Sequence, residues 1–311
     1  MSNVQGKISS SLDVAMQDVT MSFRSTPLFY SASLMVATAT SPYTASITLP
    51  PNQENDIIII STLVGTGGTV DITATDCQSI AKVSGSNLNA EWFWKRVTAS
   101  QDTQFISSSA NNFYGVATVW RGCVTESTPY LEPVVKLGQT SNRIPIAASV
   151  TASEDHTLLV SFANIEEDWT LSSFPPSGWT DVLEVSTGVG TDCRLMAMTQ
   201  KEIPVSGSVT EQVDFGLIQT NAYWATLTLL LKSFDTSSVY TTYTDADGIY
   251  SQSFASGWSG KLFATSSGYE FFSGPAVTKN SVEVIISSSD ITEDFIAVKD
   301  FSSGIGVYTD P

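Results

Sequence analysis

Apolar and polar residues alternate along most of this chain with a period of two. Around Trp92 the pattern is clean: Trp92, Trp94 and Arg96 fall on one side, Phe93, Lys95 and Val97 on the other, as the pleat of a β-strand requires. Ile57 to Ile60 is an unbroken β-branched run, suited to a strand covered on both faces. The segments from Gly115 to Trp120 and from Tyr223 to Leu231 continue in the same style. Clusters of Gly, Asn, Ser, Asp and Pro between them supply turns. Many short strands so punctuated predict an all-β chain of antiparallel sandwich architecture. A helical spacing occurs once, at Ile8, Leu12, Ala15, Met16 and Val19, with Ser10 and Asp13 placed as a capping box. A helix of about eleven residues is marginal alone. Ile8, Leu12, Met16 and Val19 are therefore expected either to anchor the chain on a neighbouring subunit or to form a short first helix or arm on its own domain.

The strand pattern repeats. Ser46–Ile47–Thr48, Glu54–Asn55–Asp56 and the isoleucine run have counterparts in Ser149–Val150–Thr151, Glu154–Asp155–His156 and Leu158 to Val160. Gly115 to Val119 matches Tyr223 to Leu227, and Glu91 to Val97 matches Arg194 to Lys201. Two related halves are expected, 38–122 and 145–232, within a β-sandwich unit at 33–233. They read either as two sandwiches or as the lobes of one jelly-roll-like sandwich. After Ser233 the composition shifts toward Ser, Tyr, Phe and Gly, with short alternating runs. This predicts a small C-terminal β domain at 234–311, beside an N-terminal anchoring segment at 1–32.

Composition narrows the function. The 311 residues carry 31 acids against 14 bases, a net charge of -17. That balance argues against a nucleic-acid binder, which needs clustered Lys and Arg. A hydrophobic content of 42% supplies a core and argues against disorder. Only 14% of residues are charged, and Ser with Thr fill about a quarter of the chain, so uncharged hydroxyls are expected to coat the sheets. No apolar run is long enough for a membrane-spanning helix, and no leader with a basic start and apolar middle is visible. Cys77, Cys123 and Cys193 are odd in number and widely spaced, as expected of small buried residues in a chain made in a reducing cytoplasm.

Candidate chemistry is sparse. His156 is the single histidine, in an apparent turn, and no G-x-S-x-G elbow occurs, so a nucleophile triad is not expected. Glu91 beside Trp92 and Trp94, and Glu166–Glu167–Asp168–Trp169, combine acids with aromatics as glycoside-cleaving sites do, but core packing of the strand aromatics and solvation of the loop acids is the plainer reading. Asp245–Ala246–Asp247–Gly248 opens like a calcium loop but lacks the remaining ligands, and is expected to be a hairpin turn. Trp179 and Trp258 stand in turn-like sequence, and Trp169 in an acidic loop. They are candidate contacts to a carbohydrate or a protein partner; Trp179 and Trp258 could equally plug the ends of their own sandwiches. No catalytic residue, metal ligand or cofactor is expected.

Several of these segments, taken in order, resemble a known family. They are Ile47–Thr48–Leu49–Pro50 through Asp56 to the isoleucine run, the Trp92–Trp94 strand, Val116 to Trp120–Arg121–Gly122, and Pro176–Ser177–Gly178–Trp179–Thr180 ahead of Trp224 to Leu231. Together they look like a β-sandwich domain of bacteriophage virion proteins, usually classed as minor tail or tail-associated. The resemblance spans about residues 33–233; where the family has Gly-Asp before the apolar strand, this chain has Asn55–Asp56. It implies a virion location, in a particle assembled in the host cytoplasm. It also implies a structural role in the tail or baseplate, with other virion proteins and further copies of the chain as partners, and a host surface glycan as an additional contact. A capsid decoration or cement protein and a carbohydrate-binding adhesin are the alternatives. Membrane insertion is not expected.

Overall fold

A computed structural model describes residues 2–10, 14–25, 27–37, 44–65, 70–101, 103–109, 113–125, 127–138, 145–154, 157–166, 174–187, 194–203, 210–211, 213–215, 223–234, 239–254, 258–266, 269–273, 281–285, 291–292 and 294–299. Among these residues the chain is all-β, without a helix. It divides into two units: Pro27–Thr236, and a second made jointly by Met1–Thr26 and Ser237–Pro311.

The larger unit contains one fold twice. In the first half β3 (Leu28–Ala37), β10 (Phe113–Arg121), β5 (Ile57–Val64), β8 (Asn89–Arg96) and β7 (Gln78–Ser84) lie in that order in one sheet. A smaller sheet holds β4 (Thr44–Thr48), β9 (Thr103–Ser108) and β6 (Ile72–Ala74). The second half follows the same path. Its large sheet runs β11 (Tyr130–Gly138), β17 (Trp224–Leu231), β13 (Thr157–Ile165), β15 (Arg194–Ile203) and β14 (Thr180–Thr187), and β12 (Val150–Thr151) pairs β16 (Thr210–Glu211) in the small one.

Each half closes a core of its own. Ile58, Ile60 and Val64 meet Ile47, Ile72 and Ile106 of the small sheet; Leu159, Ala163 and Ile165 meet Val150, Phe215 and Trp179. The other faces of the two large sheets, with Ile57, Ile59 and Leu63 on one and Leu158, Val160 and Phe162 on the other, share a third core. The halves are thus two sandwiches stacked back to back. Both faces of β5 and β13 are covered and every residue of each is buried, which is why these segments show no alternation. Face and register equate Ile57 with Leu158 and Val116 with Leu227. Residue-for-residue matching of Gly115 to Val119 with Tyr223 to Leu227 instead sets Val116 against Trp224, an odd slip that would place equivalent residues on opposite faces.

Across the third core β5 packs on β13, β7 on β11 and β3 on β14. The first-half strands β3, β5 and β7 correspond to β11, β13 and β14, so exchanging the halves reproduces the same contacts. This is the isologous arrangement of a symmetric dimer, held within one chain. Its centre is asymmetric. Ser61 Oγ donates to Asn164 Oδ1 at 2.9 Å and Asn164 Nδ2 to the Thr62 carbonyl at 3.1 Å, whereas the equivalent positions, Phe162 and Leu63, are apolar.

All four edge strands of the large sheets are bulged. The extra residue is Tyr30 in β3, Ile80 in β7 and Val182 in β14, and β11 shifts between Leu131 and Val134. A bulge lets consecutive side chains face one way. Ile80 with Ala81, and Val182 with Leu183, accordingly all pack on the third core.

In the second unit β1 (Ser2–Ser10) lies between β19 (Ile249–Phe254) and β24 (Phe295–Lys299), with β21 (Tyr269–Ser273) beyond β24 and β23 (Ile291–Thr292) also on β1. The other sheet runs β18 (Val239–Tyr243), β2 (Thr20–Ser25), β20 (Ser259–Thr265) and β22 (Ser281–Ile285). The expected N-terminal helix is not formed. Ile8 and Val19 are wholly buried, Ile8 within β1 and Val19 just before β2, so their helical spacing joins two separate extended segments. Met16 is half-buried between them; its N–H bonds the Ile8 carbonyl and its carbonyl accepts from Thr244 Oγ1 at 2.6 Å. Leu12 lies outside the described residues. Ile8 and Val19 therefore serve the core of this unit and are not free to anchor the chain elsewhere.

Candidate functional site

Two of the tryptophans singled out by sequence, Trp179 and Trp258, sit inside their units. Trp258 is 1% exposed and stacks on Phe254 with ring centroids 4.2 Å apart. Trp179 is 9% exposed and belongs to the second half's own core, with Lys201 Nζ 6.0 Å from its ring centre. Both are buried, and neither offers an open ring face. Trp169, His156 and Cys193 lie outside the described residues. Asp245–Gly248 forms the expected turn: Asp245 Oδ1 accepts from the N–H groups of Asp247 and Ile249, each at 2.9 Å, and Gly248 has φ +74°. Among the described residues no three His, Cys, Asp or Glu side chains gather as metal ligands do.

Two buried acids look catalytic in isolation and structural in context. Asp56 leads into β5, and Asn55 before it takes φ +72°, a left-handed turn conformation that Asn adopts more readily than most residues. Arg121 Nε donates to Asp56 Oδ1 at 3.0 Å and Oδ2 at 3.2 Å, and the Gln53 N–H to Oδ2 at 2.9 Å. The guanidinium also lies 3.6 Å from the ring centre of Tyr30, the bulged residue of β3. Burial pushes the Asp56 carboxyl above the usual range, against the opposing pull of the Gln53 N–H and Arg121. This clasp ties the start of β5 to the end of β10.

Glu91 accepts from Ser79 Oγ at 2.8 Å, and Lys82, which also pairs Asp71, stands 3.8 Å from its second oxygen. Burial again pushes the carboxyl up. Trp92 and Trp94 face the third core, and alternation along β8 puts Glu91 on the opposite face from them. The acid and aromatics adjacent in sequence are therefore not adjacent in space. The two described thiols are poor nucleophiles as well: burial holds Cys77 up at about 11 and Cys123 further up still.

The small sheet β4–β9–β6 presents a different surface. Its inner face, with Ile47, Gln104, Ile106 and Ile72, is buried. Its outer face carries Thr44, Ser46 and Thr48 on β4, Thr103 and Ser107 on β9 and Thr73 on β6. In their midst Phe105 is 55% exposed, directly opposite Ser46 in register. Beneath it the buried Gln104 accepts from Lys95 Nζ at 2.9 Å and donates to the Thr75 carbonyl, while the Thr75 N–H bonds the Phe105 carbonyl at 3.1 Å. The ring therefore stands on a middle strand braced from both sides. Sequence reasoning passed over it, although the signal was there: in Thr103–Ser108, Gln104 and Ile106 take one parity and Phe105 the other, beside Thr103 and Ser107. Compared with known proteins, the chain matches no family model and no curated protein.

Proposed function

We propose that this protein is a non-enzymatic structural component of a bacteriophage virion, placed in the tail or baseplate and exposed on the particle. The observation that carries this reading is the tandem sandwich with four bulged outer edges, in a chain of net charge -17. Bulged edges resist strand-to-strand aggregation, and net charge keeps a protein soluble; a subunit present in many copies needs both. The resemblance of residues 33–233 to virion sandwich domains points the same way. Other virion proteins and further copies of the chain are its partners in this reading. Immunogold labelling of intact particles tests it. Label on the tail or baseplate supports it, label on the head moves the protein to capsid decoration, and absence from purified particles removes both. A second reading, a carbohydrate-binding adhesin, is favoured by one surface: the exposed Phe105 among hydroxyls.

A further inference from the structure

We infer that the outer face of β4–β9–β6 binds an uncharged glycan, with Phe105 as the stacking platform. This deepens the adhesin reading by naming its site and ligand class, and it is independent of where the chain sits in a particle.

A pyranose ring offers two kinds of surface, a face of C–H groups and a rim of hydroxyls. An aromatic ring takes the first, and groups that both donate and accept take the second. The face supplies both kinds together. Phe105 is 55% exposed, and Ser46 stands opposite it on β4. Thr103 and Ser107 flank it on the same face of β9, and Thr73 Oγ1 already bonds Ser107 Oγ at 2.7 Å. A single bridged hydroxyl pair retains further donor and acceptor capacity.

Charge selects the ligand. The outward positions Thr44, Ser46, Thr48, Thr103, Phe105, Ser107 and Thr73 contain no charged residue; at the margin Asp71, opposite Ser109, is acidic and already pairs Lys82 at 3.3 Å, and the chain's net charge of -17 also repels an anionic sugar. A protein partner fits less well. Stable protein interfaces cluster several buried anchors, and here the exposed large apolar surface is a single ring. The platform is also rigid before binding, because Phe105 lies on the middle strand and Gln104 ties the strand from beneath; rigidity lowers the ordering cost of association. With one ring and shallow relief, each site is expected to bind at about millimolar strength, and multiple copies add avidity.

Native gel electrophoresis of the full chain through gels containing a neutral galactomannan, a neutral β-glucan, a neutral xylan or anionic alginate tests the inference. At least one neutral polysaccharide is expected to retard the wild type, and alginate is not. F105A is expected to weaken that retardation by about tenfold or more and F105W to preserve it, with the thermal midpoint of F105A unchanged because the ring is exposed. Retardation equal in F105A and wild type leaves the adhesin reading standing but overturns the site. No retardation by any neutral polysaccharide overturns both. A fall in oligomeric mass in F105A, measured by light scattering, assigns the face to a second copy of the chain and also overturns the inference.

Discussion

Two side chains set local energetics in ways that a measurement can isolate. Glu91 is buried beside Ser79, Lys82 and Asp71, with its carboxyl pushed up by burial. A raised folded-state value means that the folded chain holds this proton more tightly than the unfolded chain. Its contribution to stability therefore falls as pH rises from the ordinary glutamate range through the raised value. Glu91→Gln is expected to raise the urea midpoint at pH 7, with the gain vanishing as pH drops below the ordinary glutamate range. Unfolding curves for both proteins across that range check it. At Asn55 the φ of +72° gives a second case. Asn55→Ala is expected to cost about 1–2 kcal/mol, the left-handed penalty of an ordinary residue, whereas Asn55→Gly is expected to be close to neutral. Equal losses in the two variants, read from urea unfolding, would discard this account.

Strands were the most legible level of the sequence. The Trp92 alternation identifies β8, because a pleated strand writes its two faces into alternate positions, and the unbroken isoleucine run identifies β5, because both of its faces are covered. The repeat was legible too, through hairpin units rather than identities. Two elements were not. The N-terminal spacing imitates a helix because Ile8, in β1, and Val19, ahead of β2, happen to fall in step, and which partners a strand will find is absent from its own pattern. Bulges are equally silent, since one added residue at Ile80 or Val182 only looks like a flaw in the alternation. The candidate site is blurred for a related reason: turn-like sequence leaves exposure and plugging both open for Trp179 and Trp258, and a strand's own pattern does not say which of its faces meets solvent. Trp179 and Trp258 are buried and Phe105 is not. Since β1 and β2 sit inside the two sheets of the second unit, deleting residues 1–21 is expected to unfold Ser237–Pro311 while leaving Pro27–Thr236 folded. Limited proteolysis checks it: protection of the C-terminal residues in the deletion variant would contradict this account.

At the scale of the molecule, the back-to-back halves raise a problem of pairing. Two large sheets with the same strand order and an isologous interface could equally join like with like between chains. The Ser61–Asn164 bond discriminates. First half on first half would set Ser61 against Leu63, and second on second would set Asn164 against Phe162, leaving a buried polar group without its partner at about 1–3 kcal/mol. The double substitution Ser61→Ala with Asn164→Leu is expected to relax this choice. After refolding at high concentration it should give more interchain-swapped oligomer than the wild type by light scattering; an unchanged fraction would rule the role out.

Strands β1 and β2 are made well before the strands they pair with. β18 to β24 are made only after the whole of Pro27–Thr236, a delay on the order of 10–40 s at ordinary rates of translation. Through that interval Val4, Ile8 and Met21 have no core to enter, while the two sandwiches downstream can complete themselves. A chain interrupted between β17 and β18 carries both sandwiches and leaves β1 and β2 unpaired. Synthesis through β24 thus covers an apolar segment that a product truncated before β18 leaves exposed.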